Sequence, residues 1–141
     1  MSTKAETLVK LGKYQKKIEI IVPKVFYFNK KDYLKNKINI QKKIKKIFYK
    51  KKIILRSSSK QEDQENLSNA GKYKSFLNLN AEDNVVNNKI QLILEDFDSP
   101  LDQIIVQEFI TKPDLSGVIF TRNINNNSPY YFINLDSSGR T

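Results

Sequence analysis

Apolar residues in this chain recur every three or four positions in some stretches and run contiguously in others, so helices and strands are expected to interleave. Residues 3–13 read as a short helix. Ala5, Leu8, Val9 and Leu11 give it an apolar side, Thr3 with Glu6 three residues later has the form of a capping box, and Gly12 marks its end. Ile18 to Phe28 reads as a strand that opens the sheet, with Pro23 placing it at an edge or a bend. Asn29 followed by Asp32 has the form of an N-cap with an acid in the first turn. It starts an amphipathic helix of about four turns, with Leu34, Ile38, Ile44 and Phe48 as the apolar stripe and Tyr33, Ile40 and Ile47 beside it.

Ile53-Ile54-Leu55 is a contiguous apolar run that suits a strand covered on both faces. Tyr73 to Leu79 reads as a returning extended segment. A second amphipathic helix starts at Asn80 or Ala81 with Glu82 and Asp83 in its first turn, buries Val86, Ile90, Ile93 and Phe97, and stops at Asp98-Ser99-Pro100. From Gln103 the pattern becomes β. Ile104 to Ile110 and Gly117 to Arg122 are expected to pair as an antiparallel hairpin, Asn125 to Pro129 is a turn by composition, and Tyr130 to Leu135 is the last strand.

Composition narrows the chemistry. The 141 residues make one modest domain, and the absence of cysteine and histidine removes disulfides, thiolate metal sites, a histidine base and a phosphohistidine from this chain. No apolar run approaches membrane-spanning length and no basic-then-apolar leader opens the chain, so a cytoplasmic protein with no membrane partner is expected. The net charge of +10 raises nucleic acid as a partner, and a basic nucleic-acid-binding module is one alternative reading. Against it, most of the excess lies in lysines between Lys30 and Lys52, on the polar side and C-terminal end of a helix, where cations complement the helix dipole. Arginines number only three: Arg56, Arg122 and Arg140. A solvated lysine face accounts for the charge without a ligand.

The sharpest chemical signal follows the apolar run at 53–55. Arg56 stands at the carboxyl end of that strand, a permanently charged forked donor matched to phosphate oxygens, and Ser57-Ser58-Ser59 and Gly71 lie in the polar loop beyond. Taken alone, an arginine there is most simply a solvated strand end or a surface ion pair. The adjacent Glu62 and Asp63 could hold Mg²⁺ or act in acid–base chemistry, although paired acids in a polar loop are ordinarily just solvated.

The order of these residues carries a resemblance. Leu55-Arg56-Ser57-Ser58-Ser59, Glu62-Asp63, Asn69-Ala70-Gly71 and Leu77-Asn78, with Val106-Gln107-Glu108-Phe109-Ile110 and Ser116-Gly117-Val118-Ile119-Phe120-Thr121-Arg122-Asn123, resembles the ATP-binding domain of phosphoenolpyruvate synthases and pyruvate phosphate dikinases. The resemblance implies an α+β fold: the N-terminal part of an ATP-grasp-like nucleotide-binding domain, with mixed sheets and two amphipathic helices. Residues 1–102 would form the N-terminal lobe with its phosphate-binding loop, and 103–141 the hinge and the start of a second lobe. It implies ATP and Mg²⁺ as cofactors, with Lys4 and Arg56 as the catalytic cations over the phosphates. Ser57, Ser58, Ala70 and Gly71 would belong to the loop that closes over them, and Gln107, Glu108, Phe109 and Ile110 to the hinge that holds adenine. Where the family tends to have a carboxylate on its last strand, this chain has Tyr130 and Tyr131, leaving Asn134 and Asp136 as the metal ligands.

In the family, ATP phosphorylates a mobile histidine domain and a further domain passes the phosphoryl group to pyruvate. A histidine phosphocarrier and the acceptor-binding domains are therefore implied as partners outside this chain, which would be a fragment or truncated product unable to complete the cycle alone. The opening Lys4-Ala5-Glu6 also resembles the L-glutamine kinase branch of dikinase-like enzymes, in which the acceptor is an amide nitrogen.

Overall fold

A computed structural model describes residues 3–17, 19–59, 74–123 and 125–137. Glu62, Asp63, Ala70 and Gly71 lie outside the described residues. The chain divides into two compact units, Met1–Phe109 and Ile110–Thr141. The element order is α1 (Lys4–Tyr14), β1 (Val25–Asn29), α2 (Lys30–Ile47), β2 (Lys52–Ser58), β3 (Ser75–Asn80), α3 (Val85–Glu95), β4 (Gln103–Glu108), β5 (Ser116–Phe120) and β6 (Phe132–Asp136).

The fold class is α+β. The first unit holds a four-stranded sheet in the order β1-β4-β2-β3, and the second a two-stranded ribbon, β5-β6. Among the described residues every pairing is antiparallel, where mixed sheets were expected. The expected hairpin of 104–110 with 117–122 does not form. β4 instead lies between β1 and β2, and β5 takes β6 as its partner. Ile104 and Val106 are buried in the first unit's core, and both sides of β4 are already occupied by other strands.

Pleating gives the four-stranded sheet two faces. Phe28, Ile53, Leu55, Ile104 and Val106 point to one of them, where they pack with Tyr33, Ile40, Ile44 and Phe48 from α2 and its end, and with Val86, Ile90, Ile93, Leu94 and Phe97 from α3 and its end. Burying each such side chain is worth roughly 1.5–3 kcal/mol, so this layer is the main source of stability. Tyr33 stacks on Phe28 at 5.4 Å between ring centroids, and its hydroxyl accepts a hydrogen bond from Gln41 Nε2 at 3.3 Å.

Several boundaries differ from the sequence reading, each for a local reason. Among the described residues the expected first strand, Ile18 to Phe28, is regular only from Val25, and Pro23, which has no N–H to give a ladder, lies before it. On α2, Tyr33, Ile40 and Ile44 are buried while Leu34 and Ile38 are 67% and 66% exposed. At about 100° per residue, the six positions from Ile38 to Ile44 turn the helix through one full turn and about 240° more, so the two cannot share a face. The helix is also kinked at Asn36 (φ −133°, ψ 36°). The second amphipathic helix, α3, starts at Val85 rather than Asn80, because residues 81–84 form turns and Asn84 makes no side-chain cap. Its buried face contains Val86, Ile90 and Ile93 as the spacing predicts.

In the second unit, Gly117 faces Leu135 across the ribbon, and a Cβ at this position would overlap the carbonyl oxygen of Asn134. The glycine does permit a close backbone approach, made by the partner strand. The turn at 123–128 is built by asparagines: Asn125 N donates to Asn123 Oδ1 at 2.8 Å, Ser128 N donates to Asn126 Oδ1 at 3.1 Å, and Asn127 adopts φ 58°.

Candidate functional site

The second face of the four-stranded sheet carries the candidate chemistry. Arg56 lies within β2 rather than beyond its end, opposite Ile105 of β4 and Ser75 of β3. The rule that ligands collect at the carboxyl ends of strands belongs to parallel sheets. In this antiparallel sheet, alternation decides the placement instead: Arg56 and Ser58 share one face, while Ser57 turns to the other with Ile53 and Leu55. Ser58 pairs with Gln103 and Ile54 with Gln107. Arg56, Ser58, Gln103 and Gln107 therefore stand on one surface in neighbouring rows.

Helix α1 caps one end of this surface. The Thr3 hydroxyl accepts from Glu6 N at 3.2 Å and donates to Gln103 Oε1 at 2.8 Å, while Thr3 N donates to Glu6 Oε2 at 3.1 Å. The capping box read from the sequence is present, and it also ties the helix start to β4. Lys4 is the first helical residue after that cap.

Beneath the cap lies a cavity of about 300 Å³ lined by Thr3, Glu6, Ser58, Ser59, Asp102 and Gln103 among others. Ser58 is 1% exposed, and among the described residues its Oγ has no hydrogen-bond partner. A buried hydroxyl left unpaired costs about 1–3 kcal/mol. Glu6 spends one carboxylate oxygen on Thr3 N, and Asp102 one on Ser99 N at 3.1 Å. These two acids oppose a bare anion inside the cavity. The cation that the sheet itself places on this face is Arg56, which is exposed.

Gln107 and Glu108 end β4 and Phe109 follows it. Glu108 N donates to Lys24 O at 3.0 Å and Phe109 N to Lys52 O at 2.9 Å, so both amides are used within the first unit. The Glu108 carboxylate is 2.8 Å from Lys51 Nζ. Ile110 belongs to the second unit and is exposed. In that unit Asn134 and Asp136 share one face of β6, opposite Val118 and Ser116. Among the described residues no group of three or more His, Cys, Asp or Glu side chains comes together to hold a metal ion, and no helix is long and apolar enough to cross a membrane.

The sequence reading missed Gln103, Asp102 and the linking role of Thr3. Gln103 carried a usable signal: it and Gln107 are the polar members of the 103, 105, 107 alternation, and so share the face of Arg56.

This surface, with a helix start, an arginine, a buried hydroxyl and two amide side chains over an α+β sheet, has the makeup of an anion- or nucleotide-binding domain. Residues 31–103 match the family model described as pyruvate phosphate dikinase, AMP/ATP-binding domain. The match covers just over half of the chain, and the chain belongs to that family. It includes Arg56, Ser57, Ser58, Ala70 and Gly71, while Lys4 and 107–110 lie outside it. No curated protein and no solved structure matches the chain.

Proposed function

We propose that this chain binds ATP on the α1 face of its four-stranded sheet, as the nucleotide-binding part of a dikinase-like phosphotransferase. The reading rests on one observation above the others: the Ser58 hydroxyl is buried at a cavity and unpaired among the described residues, on the same face as Arg56. A buried polar atom without a partner is a cost to the empty protein, and a ligand that supplies the hydrogen bond removes it. In this reading Arg56 and Lys4 neutralise phosphate charge, Ser58 donates to the nucleotide, and Gln107 orients it. Phosphoryl transfer depends on such positioning and charge neutralisation. Mg²⁺, when bound, supplies further neutralisation of the phosphate oxygens. Asn134 and Asp136, on one face of β6 in the second unit, are hard oxygen donors of the kind Mg²⁺ takes. The phosphoryl group would go to a histidine outside this chain, which has none of its own.

The test is a thermal melt with and without MgATP, on the wild type, Arg56→Ala and Ser58→Ala. ATP at a hundred times its Kd adds about 2.7 kcal/mol of stability, which is read as a rise in Tm. Ser58→Ala is expected to melt no lower than wild type without nucleotide, because its hydroxyl has no partner among the described residues to lose, and to show a smaller rise with it. Arg56→Ala should abolish most of the rise. A full ATP shift in both variants would remove this face from the site.

A further inference from the structure

Among the described residues the outer edge of β1 is open. Backbone bonds from Glu108 N to Lys24 O and from Lys30 N to Asp102 O, each 3.0 Å, fix the even-numbered residues of this strand as those facing β4. Val25 and Tyr27 therefore direct their N–H and C=O groups away from the sheet, and among the described residues no hydrogen bond reaches them. The opposite edge, β3, is blunted by a register shift against β2 and by Asn78 at φ 54°. β1 has no such interruption, and its sequence, Val-Phe-Tyr-Phe-Asn, contains no charge to discourage pairing.

Two cavities run along β1 on its α2 side. One of about 290 Å³ is lined by Phe26, Tyr27, Asn29, Asn36 and Lys43, and another of about 660 Å³ by Lys24, Lys42, Lys43, Lys46 and Ile47. They meet at Lys43, whose ammonium sits 4.8 Å from the Phe26 ring centroid. Among the described residues no carboxylate pairs with Lys42, Lys43 or Lys46, and Asp32 is the one acid in either lining. The charge that a solvated helix face explains by itself is thus set beside an unpaired strand edge.

We propose that β1 accepts an extended acidic peptide as a fifth strand. The peptide's backbone pairs with Val25 and Tyr27, and every second side chain faces α2, where carboxylates meet Lys42, Lys43 and Lys46. The free edge separates this partner from nucleic acid, which would use the lysines and leave the backbone of β1 unpaired.

The test uses the whole chain and a fluorescein-labelled, end-blocked peptide of about seven residues alternating Glu and Val. Binding is expected, with amide hydrogen exchange at Val25 and Tyr27 slowed on saturation. Lys42→Glu combined with Lys43→Glu and Lys46→Glu should weaken it roughly tenfold or more, and the triple variant should instead bind the matching Lys–Val peptide. These lysines are exposed, so the variant is expected to fold. Failure of the peptide to bind overturns the proposal. Binding with unchanged exchange at Val25 and Tyr27, or equal competition by single-stranded DNA of the same charge, overturns it in favour of a general polyanion surface.

Discussion

β2 and β6 carry similar apolar residues to opposite surroundings. Ile53 and Leu55 of β2 are fully buried beneath two helices, whereas Ile133 and Leu135 of β6 are 57% and 64% exposed. Strand composition does not distinguish them. What differs is the number of layers within each unit: the first has a four-stranded sheet with helices to cover it, and the second has two strands and no helix among its described residues. A ribbon of two strands cannot bury either of its own faces. Apolar sequence states what a strand is able to bury, and the neighbouring elements decide whether it does.

The largest test of that comparison is a matched pair of truncations. Leu55→Ala should cost about 2–5 kcal/mol in urea unfolding, because it leaves a cavity under α2 and α3. Ile133→Ala, at an exposed position, should fall within about 0.5 kcal/mol. Equal losses would show that both strands are buried to the same degree. Next, Gly117→Val should cost about 1–3 kcal/mol by overpacking against Asn134. The loss should appear as faster amide exchange across 116–120 and 132–136, with exchange in β2 and β4 unchanged.

Smaller effects separate the two faces of the first sheet. Thr3→Ala should cost about 0.5–2 kcal/mol, since Thr3 both caps α1 and bonds Gln103; calorimetry checks it, and a neutral result would mean α1 is held by its apolar side alone. Smallest of all is Lys51→Ala. Its ion pair with Glu108 is more than half exposed on the lysine side, so about 0.2–1 kcal/mol is expected, fading in 1 M salt where screening acts over about 3 Å.

Much of this was legible in the sequence where local chemistry dominates. The capping box at Thr3 and Glu6, the N-cap at Asn29, the α3 face and the asparagine turn all depend on residues a few positions apart. Strand partners were not legible. Nothing near Ile104 states that its neighbours are β1 and β2 rather than the next strand along, because that choice is made by helices packing from 33–48 and 86–97. The candidate site divided the same way. Arg56 and Ser58 could be picked out from the order of residue types, but the separation of Ser57 from them, and the contribution of Gln103, required the register of β2 against β4.

Gly117 has a further consequence for how the ribbon aligns itself. Val118-Ile119-Phe120 and Phe132-Ile133 are so alike along their lengths that sliding one strand by two residues would preserve which side chains share a face. Such a slide would bring Leu115 or Ile119 to the place now held by Gly117, and a side chain there meets the Asn134 carbonyl. The missing methyl group thus works as a key cut for one position. It selects a single reading frame for two strands whose own letters would accept several.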